Sequence, residues 1–194
     1  MSLSLDPART AVVLIDLQMG ILSMPLRPHS AETVTANGVA LARAVAAVGG
    51  LAVRVNVAFA PDLSDRPQGR VDAPPPASPG GLPADYSTFH PDVAALDAVT
   101  VTKRQWGAFH GTALDDLLRR RRIDTVVVAG VATNFGVEQT VREAWQLGYS
   151  AVVAEDGCST IDQAMHAFAV EKIFPRIARV HSTGDIVTAL GAAA

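Results

Sequence analysis

Three stretches of this chain interrupt apolar runs with residues that carry chemistry. Asp16 closes TAVVLI and continues as Leu17-Gln18; Lys103 closes VTVT; and the glycine-bracketed GVATNFG, Gly130 to Gly136, separates TVVVA from a helical pattern. A carboxylate beside an ammonium group is an acid-base pair, each charge holding the other ionised and in position. Backbone amides entering a helix N-terminus bind an anion or a developing oxyanion. Each stretch also has a plainer reading. Asp16 is equally a strand-end cap, Lys103 a solvated strand end, and GVATNFG an ordinary turn that lacks both the G-x-G-x-x-G spacing and the Walker pattern.

The three stretches gain weight from the elements that carry them. Short β-branched runs alternate with helical patterns, which predicts an α/β fold of stacked βαβ units on a mostly parallel sheet. Strands are expected at Thr10 to Ile15, Leu51 to Val57, Val99 to Thr102, Thr125 to Ala129, Ser150 to Ala154 and Ile177 to Val180. Consecutive apolar residues in several of them fit a sheet covered by helices on both faces. In such a sheet ligands bind beyond the carboxyl ends of the strands, where strand order reverses. Asp16, Lys103 and Gly130 all lie at such ends.

Between the strands, Ser30 is placed to cap a helix whose Val34, Leu41, Val45 and Val48 share one face and which stops at Gly49-Gly50. Thr112 is placed to cap the next, with Asp115 and Asp116 in its first turn and Arg119 to Arg122 in its last, a charge order that complements the helix dipole. The arginine run has a phosphate-binding patch as its alternative. Further helices are expected over about Phe135 to Leu147, Ile161 to Lys172 and Gly184 to Leu190. Pro61 to Pro91 holds eight of the 12 prolines, including Pro74-Pro75-Pro76, and reads as a long ordered loop or lid.

Composition sets the outer limits. At 194 residues the chain is the size of one α/β domain, with 49% hydrophobic and 18% charged residues and a net charge of −3. Nothing in that balance calls for a nucleic-acid partner. The N-terminal residues do not read as a secretory signal. The longest apolar runs fall short of the roughly 20 residues that cross a bilayer. The single cysteine, Cys158, excludes an internal disulfide, suits a reducing cytosol and reads as a buried small residue. The histidines, His29, His90, His110, His166 and His181, show no ligand spacing, so no metal and no cofactor are expected. His110 reads as a surface or supporting residue.

Taken together, IDLQ at 15 to 18, VTKRQWGAFHGTAL at 101 to 114, VVVAGVATNFGVEQTVREAWQLGY at 126 to 149 and AEDGCST at 154 to 160 resemble, in order, signature segments of the isochorismatase-like hydrolases. The resemblance spans nearly the whole chain. It implies a three-layer α/β/α sandwich with about six strands, a cytoplasmic homo-oligomer, and a small-molecule substrate. Most members are cysteine amidases with an Asp, a Lys and a Cys nucleophile. By position these roles fall on Asp16 and Lys103, with a cis peptide between Val131 and Ala132 and an oxyanion hole from the amides of Ala132 and Gly136.

Gly136 stands where the amidases carry their cysteine, and glycine has no atom with which to form a thioester. True isochorismatases also have glycine there; for them the resemblance implies that the Asp protonates a vinyl ether and water attacks. Where isochorismatases resemble K-x-R-Y-S-A-F, however, this chain has Gln105 in place of the arginine, and a neutral amide cannot form the bidentate ion pair with a carboxylate. The histidines of zinc-dependent nicotinamidases are also missing after the second strand, where Asn56 to Pro61 stand. The expectation is therefore a cysteine-independent hydrolase. Asp16, Lys103 and the Gly136 amide would surround a small polar space holding a nucleophilic water, and Gln18, Gln105, Trp106, Asn134 and Phe135 would shape the pocket. The alternatives are a degenerate small-molecule binding protein and a cysteine amidase whose nucleophile has been replaced by glycine.

Overall fold

The computed structural model describes residues 3–74 and 80–191, so Pro75 and Pro76 of the triproline lie outside the described residues. Six strands, β1 (Thr10–Ile15), β2 (Leu51–Val57), β3 (Val99–Lys103), β4 (Thr125–Val131), β5 (Ser150–Ser159) and β6 (Arg179–His181), form one sheet in the order β3-β2-β1-β4-β5-β6. Every neighbouring pair is parallel. The helices are α1 (Met19–Leu22), α2 (Ala31–Ala47), α3 (Pro91–Ala94), α4 (Leu114–Arg120), α5 (Glu138–Gln146), α6 (Gln163–Phe168) and α7 (Thr183–Gly191). None is long and apolar enough to cross a membrane.

The period-2 geometry of β1 divides its apolar run between two cores. Ala11, Val13 and Ile15 join Leu114 and Leu118 of α4 and Val141 and Ala144 of α5 on one face. Val12 and Leu14 join Val34, Leu41 and Val45 of α2 and Ile186 and Leu190 of α7 on the other. This is the three-layer α/β/α sandwich, and it explains why the strands read as continuous apolar runs.

Local chemistry sets most element ends. Ser30 accepts from the Thr33 amide at 3.2 Å and starts α2. Thr112 does not cap α4 as expected: the N-cap position is Ala113, which makes no side-chain cap, and Thr112 accepts from the Leu114 amide at 3.1 Å in the turn before it. Several boundaries differ from the sequence reading: β4 runs on to Val131 and β5, past a register shift against β4, to Ser159. Before α5, Thr133–Val137 form a π-helical turn. Asp162 caps α6 through the Ala164 amide at 2.7 Å, leaving Ile161 outside the helix. The amides of Ile177 and Ala178 turn back to the Phe174 carbonyl, so strand pairing starts only at Arg179.

The chain moves outward from β1 to β2 and β3, then returns to place β4 on the other side of β1. Strand order therefore reverses between β1 and β4, and the crevice beyond their carboxyl ends is where Asp16 and Gly130 to Gly136 emerge.

Candidate active site

Asp16 leaves β1 with φ +52°, a left-handed conformation that aspartate tolerates better than β-branched residues do. Its N–H donates to the Val55 carbonyl at 2.9 Å, and its own carbonyl accepts from the Gln18 amide at 2.8 Å. The turn is thereby tied to β2.

Lys103 ends β3, two strands from β1, and neighbouring strands lie about 4.8 Å apart. Only a long side chain spans β2 to reach the switch point. Lys103 Nζ donates to Asp16 Oδ2 at 2.6 Å and to the Gln105 carbonyl at 3.0 Å, with both charged residues buried. A lysine has three N–H donors, so one remains for another oxygen. Asp16 Oδ1 is buried and accepts no hydrogen bond among the described residues. Burial pushes the Asp16 carboxyl up from 3.8 to about 6, against the pull of the Lys103 charge and hydrogen bond. Desolvation thus outweighs the ammonium group.

Gly136 lies beside this pair. A Cβ built on it would sit 3.1 Å from Ile15 Cγ2, 3.3 Å from Asp16 Oδ2 and 3.5 Å from the Trp106 carbonyl oxygen. Its φ is not in the left-handed region, so backbone conformation does not demand glycine here. The place is tight, so that even a Cβ would press on Ile15 and on the Asp16 carboxylate. Thr140 Oγ1 donates to the Gly136 carbonyl at 2.7 Å and accepts from the Ala108 amide at 3.1 Å, which locks the lysine segment against the 133–137 turn. The Val131–Ala132 peptide is cis, and the Ala132 carbonyl accepts from the Phe135 and Val137 amides at 3.0 and 3.1 Å. At Gly130, φ +131°, any Cβ would fall on the Ile15 carbonyl, so this glycine is required by the close approach of β1.

The residues expected to line a pocket divide into two groups. Trp106 and Phe135 stack with ring centroids 4.8 Å apart, and Trp106 is exposed. Phe135 and Asn134 also border a shallow depression completed by Ala164, Met165 and Phe168.

The amides of Gln18 and Gln105 are already committed within the protein, which revises their expected role, and that of Asn134 is committed in part. Gln18, fully buried, donates to the Val57 and Tyr86 carbonyls and accepts from the Val57 amide. Gln105 Nε2 donates to the Gly107 and His110 carbonyls at 3.2 and 2.5 Å. Asn134 Oδ1 accepts from Thr160 Oγ1 at 2.6 Å. Gln18 and Gln105 thus hold loops in place, whereas Asn134 Nδ2 has only a 3.5 Å contact with Met165 Sδ and keeps donor capacity beside the depression.

Arg104 turns away and pairs with Asp65 at 2.6 Å, joining the proline-rich loop to the lysine segment. His110 is exposed. Cys158 is buried opposite Gly130, where burial pushes its thiol up to about 12, and an un-ionised thiol is a poor nucleophile.

Tyr86 was not singled out by sequence. Its ring covers Gly20, its carbonyl receives the Gln18 side chain and the Gly20 amide, and burial together with the Asp16 charge raises its phenol. The only prior sign was its place in the loop read as a lid. Nor did spacing predict that His29 and His166, distant in sequence, meet at Glu155.

Residues 10–185 match the isochorismatase domain model. The chain is 43% identical over 189 residues to the isochorismatase family protein YecD of Escherichia coli O157:H7, covering 97% of this chain and 100% of that protein. It is 42% identical over 187 residues to YwoC of Bacillus subtilis, covering 96% of each. The chain belongs to the isochorismatase family of hydrolases. The structure of an isochorismatase family protein from Burkholderia thailandensis superposes with a TM-score of 0.91 at 40% identity, over 97% of this chain and 98% of that one. For this family member, the fold places the buried Asp16–Lys103 ion pair at the β1–β4 switch point and its glycine-bracketed turn alongside.

Proposed function

We propose that this isochorismatase-family chain is a cysteine-independent hydrolase of a small carbonyl or enol-ether metabolite. Asp16 acts as acid or base, Lys103 as its electrostatic partner, and water as nucleophile. The observation that carries the proposal is the buried Asp16–Lys103 pair, with Oδ1 and one Lys103 N–H left without a partner among the described residues, beside a glycine that spares the carboxylate a crowding side chain. A carboxyl near 6 is poised for proton transfer at neutral pH, because both protonation states are populated there. The unused Lys103 N–H favours a substrate oxygen that is anionic or becomes so in the transition state. Isochorismate is a poor fit, since Gln105 is neutral and its amide is tied into its own loop.

The exposed Trp106, Met165 and Phe168 near the Phe135 edge support a cytoplasmic homo-oligomer that covers them. Light scattering showing a monomer at working concentration would overturn that part.

Gly136 also motivates a second reading, a binding protein that keeps the pocket without turnover. Both readings meet one experiment: a metabolite screen read by mass spectrometry for binding and conversion. Full turnover by Asp16→Ala on any substrate found would sink the hydrolase assignment. A ligand bound by wild type and Asp16→Asn alike, and never converted, would establish the second reading.

A further inference from the structure

Outside the Asp16–Lys103 site, one cluster of side chains among the described residues gathers metal-binding atoms. His29 Nε2 lies 3.1 Å from Glu155 Oε1, and His166 Nε2 lies 3.2 Å from the same oxygen. All three ligand atoms fall within 4.8 Å of one another. Tetrahedral zinc, with bonds of about 2.0 to 2.2 Å to nitrogen and oxygen, sets its ligands about 3.3 Å apart. The two nitrogen-to-oxygen separations already have that size.

Each ligand is held from behind. The strand-like segment before His29 exchanges two backbone hydrogen bonds between Arg27 and Thr160, and the His29 carbonyl accepts from Ser159 Oγ at 2.7 Å. Glu155 belongs to β5. His166 belongs to α6 and is buried, with Nδ1 2.9 Å from Thr133 Oγ1. A metal-binding imidazole uses its second ring nitrogen in this way, to fix orientation and tautomer. The side chains of His29 and Glu155 are 26% and 36% exposed, which leaves an entry path and room for water as a fourth ligand.

From this geometry we propose that His29, Glu155 and His166 bind one divalent transition-metal ion of the zinc class. Two imidazoles and one carboxylate favour zinc, cobalt or nickel over magnesium and calcium, which take all-oxygen shells. On binding, a neutral His166 moves its proton from Nε2 to Nδ1, and Nδ1 then donates to Thr133 Oγ1. Thr133 opens the Thr133–Val137 turn that carries Gly136, so the ion would clamp the start of that turn through His166. The inference is independent of the proposed hydrolytic reaction.

Isothermal titration of chelator-stripped protein with zinc chloride tests it. Wild type should bind one equivalent per chain, and Glu155→Gln and His29→Ala should each weaken binding by about 100-fold. Cobalt chloride should give the visible absorption of a tetrahedral ion, lost in the same variants. Zinc should also protect His29 and His166 of the unsubstituted protein from diethylpyrocarbonate, read by peptide mass spectrometry, an arm that does not depend on any variant folding. Absence of saturable zinc binding, wild-type affinity in both variants, or unchanged modification of both histidines would each overturn the assignment.

Discussion

The elevated Asp16 carboxyl makes a prediction that needs no substrate. A rise from 3.8 to about 6 means that the folded protein keeps a proton which the unfolded chain has already released. The Asp16 contribution to stability should therefore fall as pH rises between those values and level off above about 6, while the lowered carboxyls of Glu32, Asp62, Asp65 and Glu155 act in the opposite direction. At about 1.4 kcal/mol per unit, the full effect is about 3 kcal/mol. Asp16→Asn removes this titration. Its offset from wild type at any one pH includes the loss of the Lys103 pair, but the pH dependence of that offset isolates Asp16. The difference, variant minus wild type, should grow by about 2 to 3 kcal/mol from pH 4 to pH 7.5, or about 1 M in urea midpoint. Urea unfolding followed by circular dichroism at fixed protein concentration measures it, since assembly would make midpoints depend on concentration. Parallel stability curves would refute the dominance of burial, and the opposite slope would show that Lys103 holds the carboxyl below its ordinary value.

Other outcomes follow from named contacts. Lys103→Met should raise the Asp16 carboxyl further, because it removes the attraction that lowers it; an infrared carboxyl titration that shifts downward would contradict this. The double variant Asp16→Asn/Lys103→Met should be more stable at neutral pH than either single variant, since neither charge is left buried alone, as a denaturation cycle would show. Gly136→Ala should fold, its Cβ asking Ile15 and Asp16 to give by a few tenths of an ångström, yet turnover of any substrate found should drop at least about 10-fold as the carboxylate is pushed from its place. Gly130→Ala should yield little folded protein, because its Cβ meets the Ile15 backbone at φ +131°. Gln18→Ala should cost about 2 to 4 kcal/mol by orphaning buried groups of Val57 and Tyr86, measured as a lower thermal midpoint.

What the residues alone determined is mostly local. β1 and β2 were legible to the residue because apolar, β-branched runs end in sharp polar or turn signals, and α2 because Ser30 and Gly49-Gly50 bracket it. The family was legible because its segments occur in order along the chain. The sequence also pointed to the candidate site, since polar residues at the carboxyl ends of parallel strands have one crevice in which to meet. It did not show which side chains were free to act there. Gln18 and Gln105 were expected to shape the pocket, and their amides instead hold loops in place. Tyr86 lay hidden in an irregular, proline-rich segment with no period to read. His29, Glu155 and His166 could not be grouped by spacing, because a pair of backbone bonds between Arg27 and Thr160 brings them together across the fold. Periodicity and capping are written within a few residues of one another and survive in one dimension. Hydrogen-bond commitment, burial and the resulting rise of the Asp16 carboxyl depend on groups distant in sequence, and only the packed chain brings those within a few ångströms.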